Sequence, residues 1–502
     1  MKKSMLMFLC VSMISVTVFA GGNRADGGTA AGDRIHIMIP LFRPEAPSQN
    51  APLWAGLERL TGERLDIQFV PSDSYNERLN ITIAANELPH AFCVIEHKSN
   101  SFVSAAAGGM FWELGDAIRN APNLSMNLDA AVLVNASTNG RNYLIPRTRI
   151  TTRSAYNYRK DWLEQLGLQA PETLTDIYNI IRAFATQNPG GAGNSFGLIT
   201  AANDEGIWGL SIVAVTNGAG NGYIEQNGQL VPSFSTPQYF ETLQFFKRLY
   251  DERLINQDFA TIRQERGFEL LNAEQGGMYF GNSDEIVSRF EPLLNGKRAA
   301  NPNIELQDLW DFNARIRSSD GVVRIPGGVG FYGGFVFPRT RLRTEAEFQR
   351  VFNIFDKFDS DEGRNLIQWG IEGVHFSYNN GIAQQIMTPT FQTDVGTFWQ
   401  LGVTYSTNSG SIRGVLSPMQ ERTRSDQIVN QRYAIMDLTY PFISPTFVSR
   451  NAELRSIIAD ATIQYVMGHI NEAGYWAAVE RWRASGGQQI IDEYTQAFIT
   501  SR

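Results

Sequence analysis

Three apolar runs separated by two amphipathic helical patterns fill residues 34–95, and that alternation constrains the fold more than any other feature of the chain. Residues 34–40 (Arg-Ile-His-Ile-Met-Ile-Pro) read as a buried strand ended by proline. Residues 52–60 place Trp54, Leu57 and Leu60 on one helical face. A second strand follows over 65–70. Ser74 is then placed to cap a helix over 75–86 with Leu79, Ile83 and Ala84 inward. Leu88-Pro89-His90 leads into a third strand, 91–95. Strands joined through helices at this spacing pair in parallel. Ligands of such sheets bind beyond the C-terminal strand ends, here residues 41–45 and 96–100.

The rest of the chain repeats the theme. Residues 142–147 read as a strand leaving the first unit, and 158–166 as a helix ended by Gly167. Another helix starts at Pro171-Glu172-Thr173 and runs through Phe184, and residues 196–200 open a second α/β set. Residues 321–338 are strand-like and glycine-rich, as a return crossing would be. Residues 347–366 read as one long amphipathic helix, and the chain from 451 onward is strongly helical. No Pro/Ser/Gly linker interrupts residues 34–502, which points to domains sharing several crossings.

The first twenty residues carry a basic start (Lys2, Lys3), an apolar core over 6–19 and small residues at Val18 and Ala20, the pattern of a secretory signal cleaved after Ala20. Residues 21–32 read as a flexible tether. Removing the signal leaves 482 residues, too many for one core. No later run reaches 18 apolar residues, so no membrane span is expected. The mature chain keeps 41 basic against 51 acidic side chains, a net −10. With no Lys/Arg run, nucleic acid and anionic membrane are poor partners. Of the two cysteines, Cys10 leaves with the signal and Cys93 sits in a strand, so no disulfide forms within the mature chain. Gly21 stands where a lipid-modified cysteine would be, so a lipid anchor is not expected.

Catalytic motifs fail on context. Gly193-Asn194-Ser195-Phe196-Gly197 fits a nucleophile elbow, but a strand follows the serine where a helix is required. Gly328-Val329-Gly330-Phe331-Tyr332-Gly333 fits a dinucleotide fingerprint, yet continues as strand. The five histidines show no metal spacing, and no cofactor or metal is expected. Glu96, Glu372 and Asp437 leave glycoside chemistry open. The aromatics weigh more: sugar rings present apolar faces that pack on aromatic rings, and the chain holds 9 Trp, 17 Tyr and 31 Phe. Trp54, Trp112, Trp162, Trp310 and Trp482 read as core residues on helices. Trp208, Trp369 and Trp399 fall near element ends.

Several segments resemble, in order, the family 1 extracellular solute-binding proteins, especially the large LplA/YtcQ-like branch serving carbohydrate ABC importers. They include residues 75–92, 110–118 (Met-Phe-Trp-Glu-Leu-Gly-Asp-Ala-Ile), 139–146 (Asn-Gly-Arg-Asn-Tyr-Leu-Ile-Pro) and the specific run 158–176, beginning Tyr-Arg-Lys-Asp-Trp-Leu-Glu-Gln-Leu-Gly-Leu. Residues 249–258, 360–375, 465–468 and 487–494 continue the likeness to the end of the chain. The resemblance implies a two-lobed α/β periplasmic-binding-protein-like fold of type II, with the ligand in the cleft between lobes joined by several hinge crossings. It implies no catalysis, an oligosaccharide or sugar derivative as ligand, delivery to the transmembrane subunits of an ABC permease, and work as a monomer outside the cytoplasmic membrane. Lobe 1 is then expected over 33–150 and 326–395, and lobe 2 over 151–325 and 396–502. Strand ends and glycine-rich crossings nominate Phe42, Arg43, Glu96 and His97 on lobe 1, Asn203, Trp208, Asn282 and Ser283 on lobe 2, and Phe331, Tyr332, Glu372 and His375 near the return. Phe42, Trp208 and Tyr332 are assigned to stacking. Three departures stand out: Pro89-His90 in place of Pro-Asp, no carboxylates over 188–195 where some relatives hold calcium, and the missing lipid-anchor cysteine. A secreted carbohydrate-active hydrolase and a sensory or adhesive sugar-binding protein are the rival readings.

Overall fold

The computed structural model describes residues 34–42, 45–193, 195–204, 206–386, 389–404, 412 and 414–501. The signal, the tether and Arg43 lie outside the described residues. Nine strands build two main sheets: β1 (Ile35–Leu41), β2 (Leu65–Pro71), β3 (Ala91–Val94), β4 (Ile145–Thr148), β5 (Ser154–Arg159), β6 (Phe196–Leu198), β7 (Gly276–Asn282), β8 (Trp310–Asn313) and β9 (Phe331–Val336). The first sheet has the order β2-β1-β3-β9-β4 and the second β8-β5-β7-β6. β1 pairs in parallel with β2 and β3, while β9 runs antiparallel to β3 and β4. The C-terminal ends of β1, β2, β3 and β4 therefore share one edge with the start of β9. In the second sheet β7 is parallel to β6 and antiparallel to β5, which is antiparallel to β8. The ends of β6, β7 and β8 share an edge with the start of β5.

Each sheet has its own core. One gathers apolar side chains from Ile35 to Ile145 and again from Phe331 to Val403. The other side of the molecule draws on Ala155–Ile325 and Met419–Tyr494. β1 shows why: six of its seven residues are buried, as a strand covered on both faces requires. The C-terminal helices Pro445–Val466, Glu472–Trp482 and Gln488–Thr500 pack in the second lobe. Residues 396–403, expected in lobe 2, pack in the first: Phe398, Leu401 and Val403 lie in its core, and the Thr148 amide donates to the Val403 carbonyl. Among the described residues no helix is long and apolar enough to cross a membrane.

The chain passes between lobes at 149–153, at 328–330 and at 416–417, since the Val415 amide still donates to the Ala383 carbonyl on the first lobe while Met419 lies in the core of the second. The first two passages are tied to each other: the Gly328 amide donates to the Thr151 carbonyl and the Arg149 amide to the Gly330 carbonyl, both at 2.8 Å. The glycine motif at 328–333 is this passage and opens β9, as its strand-like continuation requires. Gly330 and Gly333 adopt φ of 91° and 67°, and the β9–β4 register slips between Phe331 and Gly334, a bulge that re-aims the neighbouring side chains.

Some local expectations differ from the structure. Residues 347–366 form two helices, Glu345–Phe358 and Asp361–Trp369, because Ser360 caps the second through the Gly363 amide. Tyr158 ends up inside β5, and the helix begins at Lys160. Ser74 does not cap its helix, which starts at Ser72, and Ala84 faces solvent. Trp310 lies in strand β8 and Trp112 outside any helix, although Trp310 is fully buried.

Candidate ligand-binding cleft

The cleft-facing edge of the first sheet carries an aromatic pair. Phe42 follows β1 and Tyr332 is the second residue of β9; they are 46% and 43% exposed, with ring centroids 6.3 Å apart at 54°. Strand alternation turns Phe331 the other way, buried edge-on against the His97 ring at 4.8 Å. Two strands that are remote in sequence thus place two large rings side by side at a rim. Burial raises the Tyr332 hydroxyl above its ordinary range, so it remains a neutral donor and acceptor.

His97 lies beyond β3. Burial, aided by the Lys98 charge, pushes its pKa down to about 3, which leaves a neutral imidazole. Its buried Nε2 has no hydrogen-bond partner among the described residues. Glu96 is exposed and accepts from Asn76 Nδ2 at 3.0 Å. The turn Trp399–Leu401 crosses the same edge: Gln400 Oε1 accepts from Arg147 Nη2, and Val403 caps β4. Trp399, on that turn, is 45% exposed.

Lys98 reaches across to the second lobe. Its Nζ donates to the Thr439 carbonyl at 2.9 Å and lies 6.0 Å from the Tyr494 ring centroid. Burial lowers its pKa to about 8, against the pull of Asp437. Asp437 is itself a knot of the second lobe, accepting from the Thr439 amide and hydroxyl and from the Tyr223 amide. Burial raises its pKa.

On the second lobe Asn282 ends β7, half-buried at the edge. Ser283 beside it is buried, its amide on the Arg153 carbonyl and its Oγ accepting from Gln427 Nε2 at 3.3 Å. It belongs to the scaffold of the passage rather than to an open surface. Arg153 pairs with Asp284 at 2.5 Å. Next to them burial pushes Glu285 up to about 7, while its carboxyl accepts from the Asn282 amide.

Four nominated residues stand elsewhere. Trp208 is 8% exposed and packs on Phe268 and Tyr279, at 5.2 and 5.6 Å, inside the second lobe. It is not a stacking residue, because the strand end that carries it faces inward. Asn203 sits on a small hairpin, Ala202–Asn203 with Gly206–Ile207, whose Gly206 packs against Thr462 of the long C-terminal helix. His375 is fully buried, its Nδ1 accepting from the Ile371 amide and its Nε2 3.4 Å from Asp394. The pair holds a loop, on whose exposed side Glu372 lies. Pro89-His90 lies at the opposite edge of the first sheet, where His90 stacks on His36 at 5.4 Å and accepts from its amide.

The structure therefore joins Phe42, Glu96, His97, Phe331 and Tyr332 at one edge, with Asn282 and Ser283 at the corresponding edge of the other sheet. It adds Lys98, Arg147, Trp399 and Gln400. Arg147 had a visible cue, an arginine closing the apolar run Tyr143-Leu144-Ile145-Pro146.

The description "Bacterial extracellular solute-binding protein" matches residues 46–292 as a family model. The chain is 30% identical over 498 residues to the polygalacturonan/rhamnogalacturonan-binding protein YtcQ of Bacillus subtilis, covering 96% of each chain. It is 29% identical over 509 residues to lipoprotein LipO of the same organism, covering 100% of this chain and 99% of LipO. Among solved structures, an HMO-binding, ABC-transporter-associated solute-binding protein from Bifidobacterium longum infantis superposes with a TM-score of 0.69 at 16% identity, over 93% of this chain and 99% of that one. That likeness is one of fold: two α/β lobes of the type II arrangement.

Proposed function

The chain belongs to the bacterial extracellular solute-binding proteins, and from that premise we propose that it captures an oligosaccharide between its lobes and hands it to the permease of an ABC importer. The observation that carries this reading is the exposed Phe42–Tyr332 pair at the strand ends. Aromatic faces suit the C–H faces of sugar rings. The neutral imidazole of His97 and the Asn282 amide supply partners for hydroxyls. YtcQ is named for binding polygalacturonan/rhamnogalacturonan and the Bifidobacterium protein for HMO, which supports a carbohydrate here.

Ligand that touches both lobes favours the closed arrangement over the open one. Micromolar affinity requires only about −8 kcal/mol, within reach of two stacked rings and a few hydrogen bonds. On this reading the protein binds without turnover, works as a monomer and is exported by cleavage after Ala20. A thermal-shift screen of the chain from Gly21 against neutral and acidic oligosaccharides tests this. A saturable rise in melting temperature, with intact sugar recovered afterwards, supports a receptor. Consumption of the sugar supports a hydrolase, and no shift with any sugar sinks the carbohydrate reading.

Lys98 couples closure to pH. Closing buries its ammonium against the Thr439 carbonyl and the Tyr494 ring, near Asp437 and beside neutral His97. Its pKa falls from about 10.5 when solvated to about 8 when covered. The open form binds more protons between those values, so closure strengthens as pH rises through that window. Affinity is expected to increase about tenfold from pH 7 to 9, and Lys98→Met to flatten that slope. An equally steep slope in the variant, by calorimetry, would assign it to another group.

A further inference from the structure

Among the described residues two arginines are fully buried, and they are treated differently. Arg159 is bracketed by Asp161 and Glu274, at 2.5 and 3.0 Å. Arg147, at the cleft end of β4, has no carboxylate partner among the described residues. Its Nη1 donates to the Tyr332 carbonyl at 3.4 Å and contacts Cys93 Sγ at 3.7 Å, its Nη2 donates to Gln400 Oε1, and its Nε has no partner. All these acceptors are neutral. A guanidinium stays charged at any pH the protein meets, and a buried charge without a counter-charge is costly. The cost is localised under the aromatic pair, since Arg147 is bonded to the backbone of Tyr332 itself. Arg149 also acts on the Tyr332 hydroxyl, opposed by exposed Glu96, whose carboxylate is engaged by Asn76. A local cationic floor is thus built into a chain whose formal charge is −8.

We propose that the missing counter-charge arrives with the ligand: the cleft selects oligosaccharides that bear carboxylates over neutral ones, and Arg147 is the specificity-determining residue. This rests on the oligosaccharide reading above. Arg147 acts through the low-polarity floor beneath the rings, where charge is poorly screened, and through its grip on Tyr332 and Gln400. Bound carboxylate supplies the compensation that Asp161 and Glu274 give Arg159.

The test compares two probes of one length by titration calorimetry: tri-galacturonate, and the same trimer with its carboxyls reduced to neutral hydroxymethyl groups. The wild-type chain is expected to favour the acidic trimer by about tenfold or more, less so at high salt. Arg147→Met is expected to bring that ratio to about one, while Arg147→Lys, which retains the charge, keeps a clear preference. Urea melts of the ligand-free Met variant are expected at or above wild-type stability, because an uncompensated charge has been removed; a merely structural arginine would lower them. Equal wild-type affinity for both trimers overturns the inference but leaves the sugar reading standing. So does an undiminished preference in the Met variant. Binding of neither trimer overturns both. Should the Met variant fail to fold, the wild-type ratio and the Lys variant still decide.

Discussion

Replacing Phe42 and Tyr332 together by alanine is expected to weaken oligosaccharide binding about 100-fold while leaving the free protein's melting temperature within a few degrees. The two rings are nearly half exposed and touch each other, so their removal opens no cavity in the first core. Covering an aromatic face with a sugar ring removes apolar area from water at about 25 cal/mol per Å². Anchors of this kind in interfaces contribute roughly 2 kcal/mol each. Two together give about 3 kcal/mol once their mutual contact is allowed for, which is the stated factor. Calorimetry on the single and double variants measures the coupling. A loss below threefold would place the ligand away from this edge. A large fall in melting temperature would make the rings folding elements instead.

Trp208→Ala is expected to do the reverse. It should cost about 3–4 kcal/mol of stability and leave ligand affinity of the folded protein unaltered. The indole is packed between Phe268 and Tyr279, with Gly267 closely opposed. For a lobe of some 250 residues the loss corresponds to a fall of roughly 6–15 °C in its melting transition. Calorimetric scans of the free protein and titrations well below the transition separate the two quantities. Intact melting with lost binding would return Trp208 to the cleft.

The contrast between these variants shows how far the sequence could be read. Alternating apolar runs over 34–95 specify a parallel sheet, and its C-terminal strand ends follow from topology, so Phe42, Glu96 and His97 were legible. Tyr332 was legible because the glycine motif continued as strand. Trp208 was not, because a residue at an element end faces either inward or outward, and only packing against Phe268 and Tyr279 decides which. His375 hides for the same reason: its partner Asp394 comes from a separate helix. Lys98 and Thr439 stand 341 positions apart, and Arg147 and Gln400 stand 253 apart. No local pattern encodes pairings of that range. The turn of residues 396–403 back into the first lobe was missed likewise, its tie to β4 being a backbone bond to Thr148.

The paired passages at 149–153 and 328–330 act as a leaf spring. Two backbone strips fastened face to face by the Gly328–Thr151 and Arg149–Gly330 bonds bend across their flat side and resist sliding or twisting. The third passage, at 416–417, adds a further tie between the lobes. A strip fastened in this way favours one lobe motion, a change of the opening angle, over the others. A membrane complex that gauged only the spacing between the two lobe tips would learn whether cargo is aboard without touching the cargo.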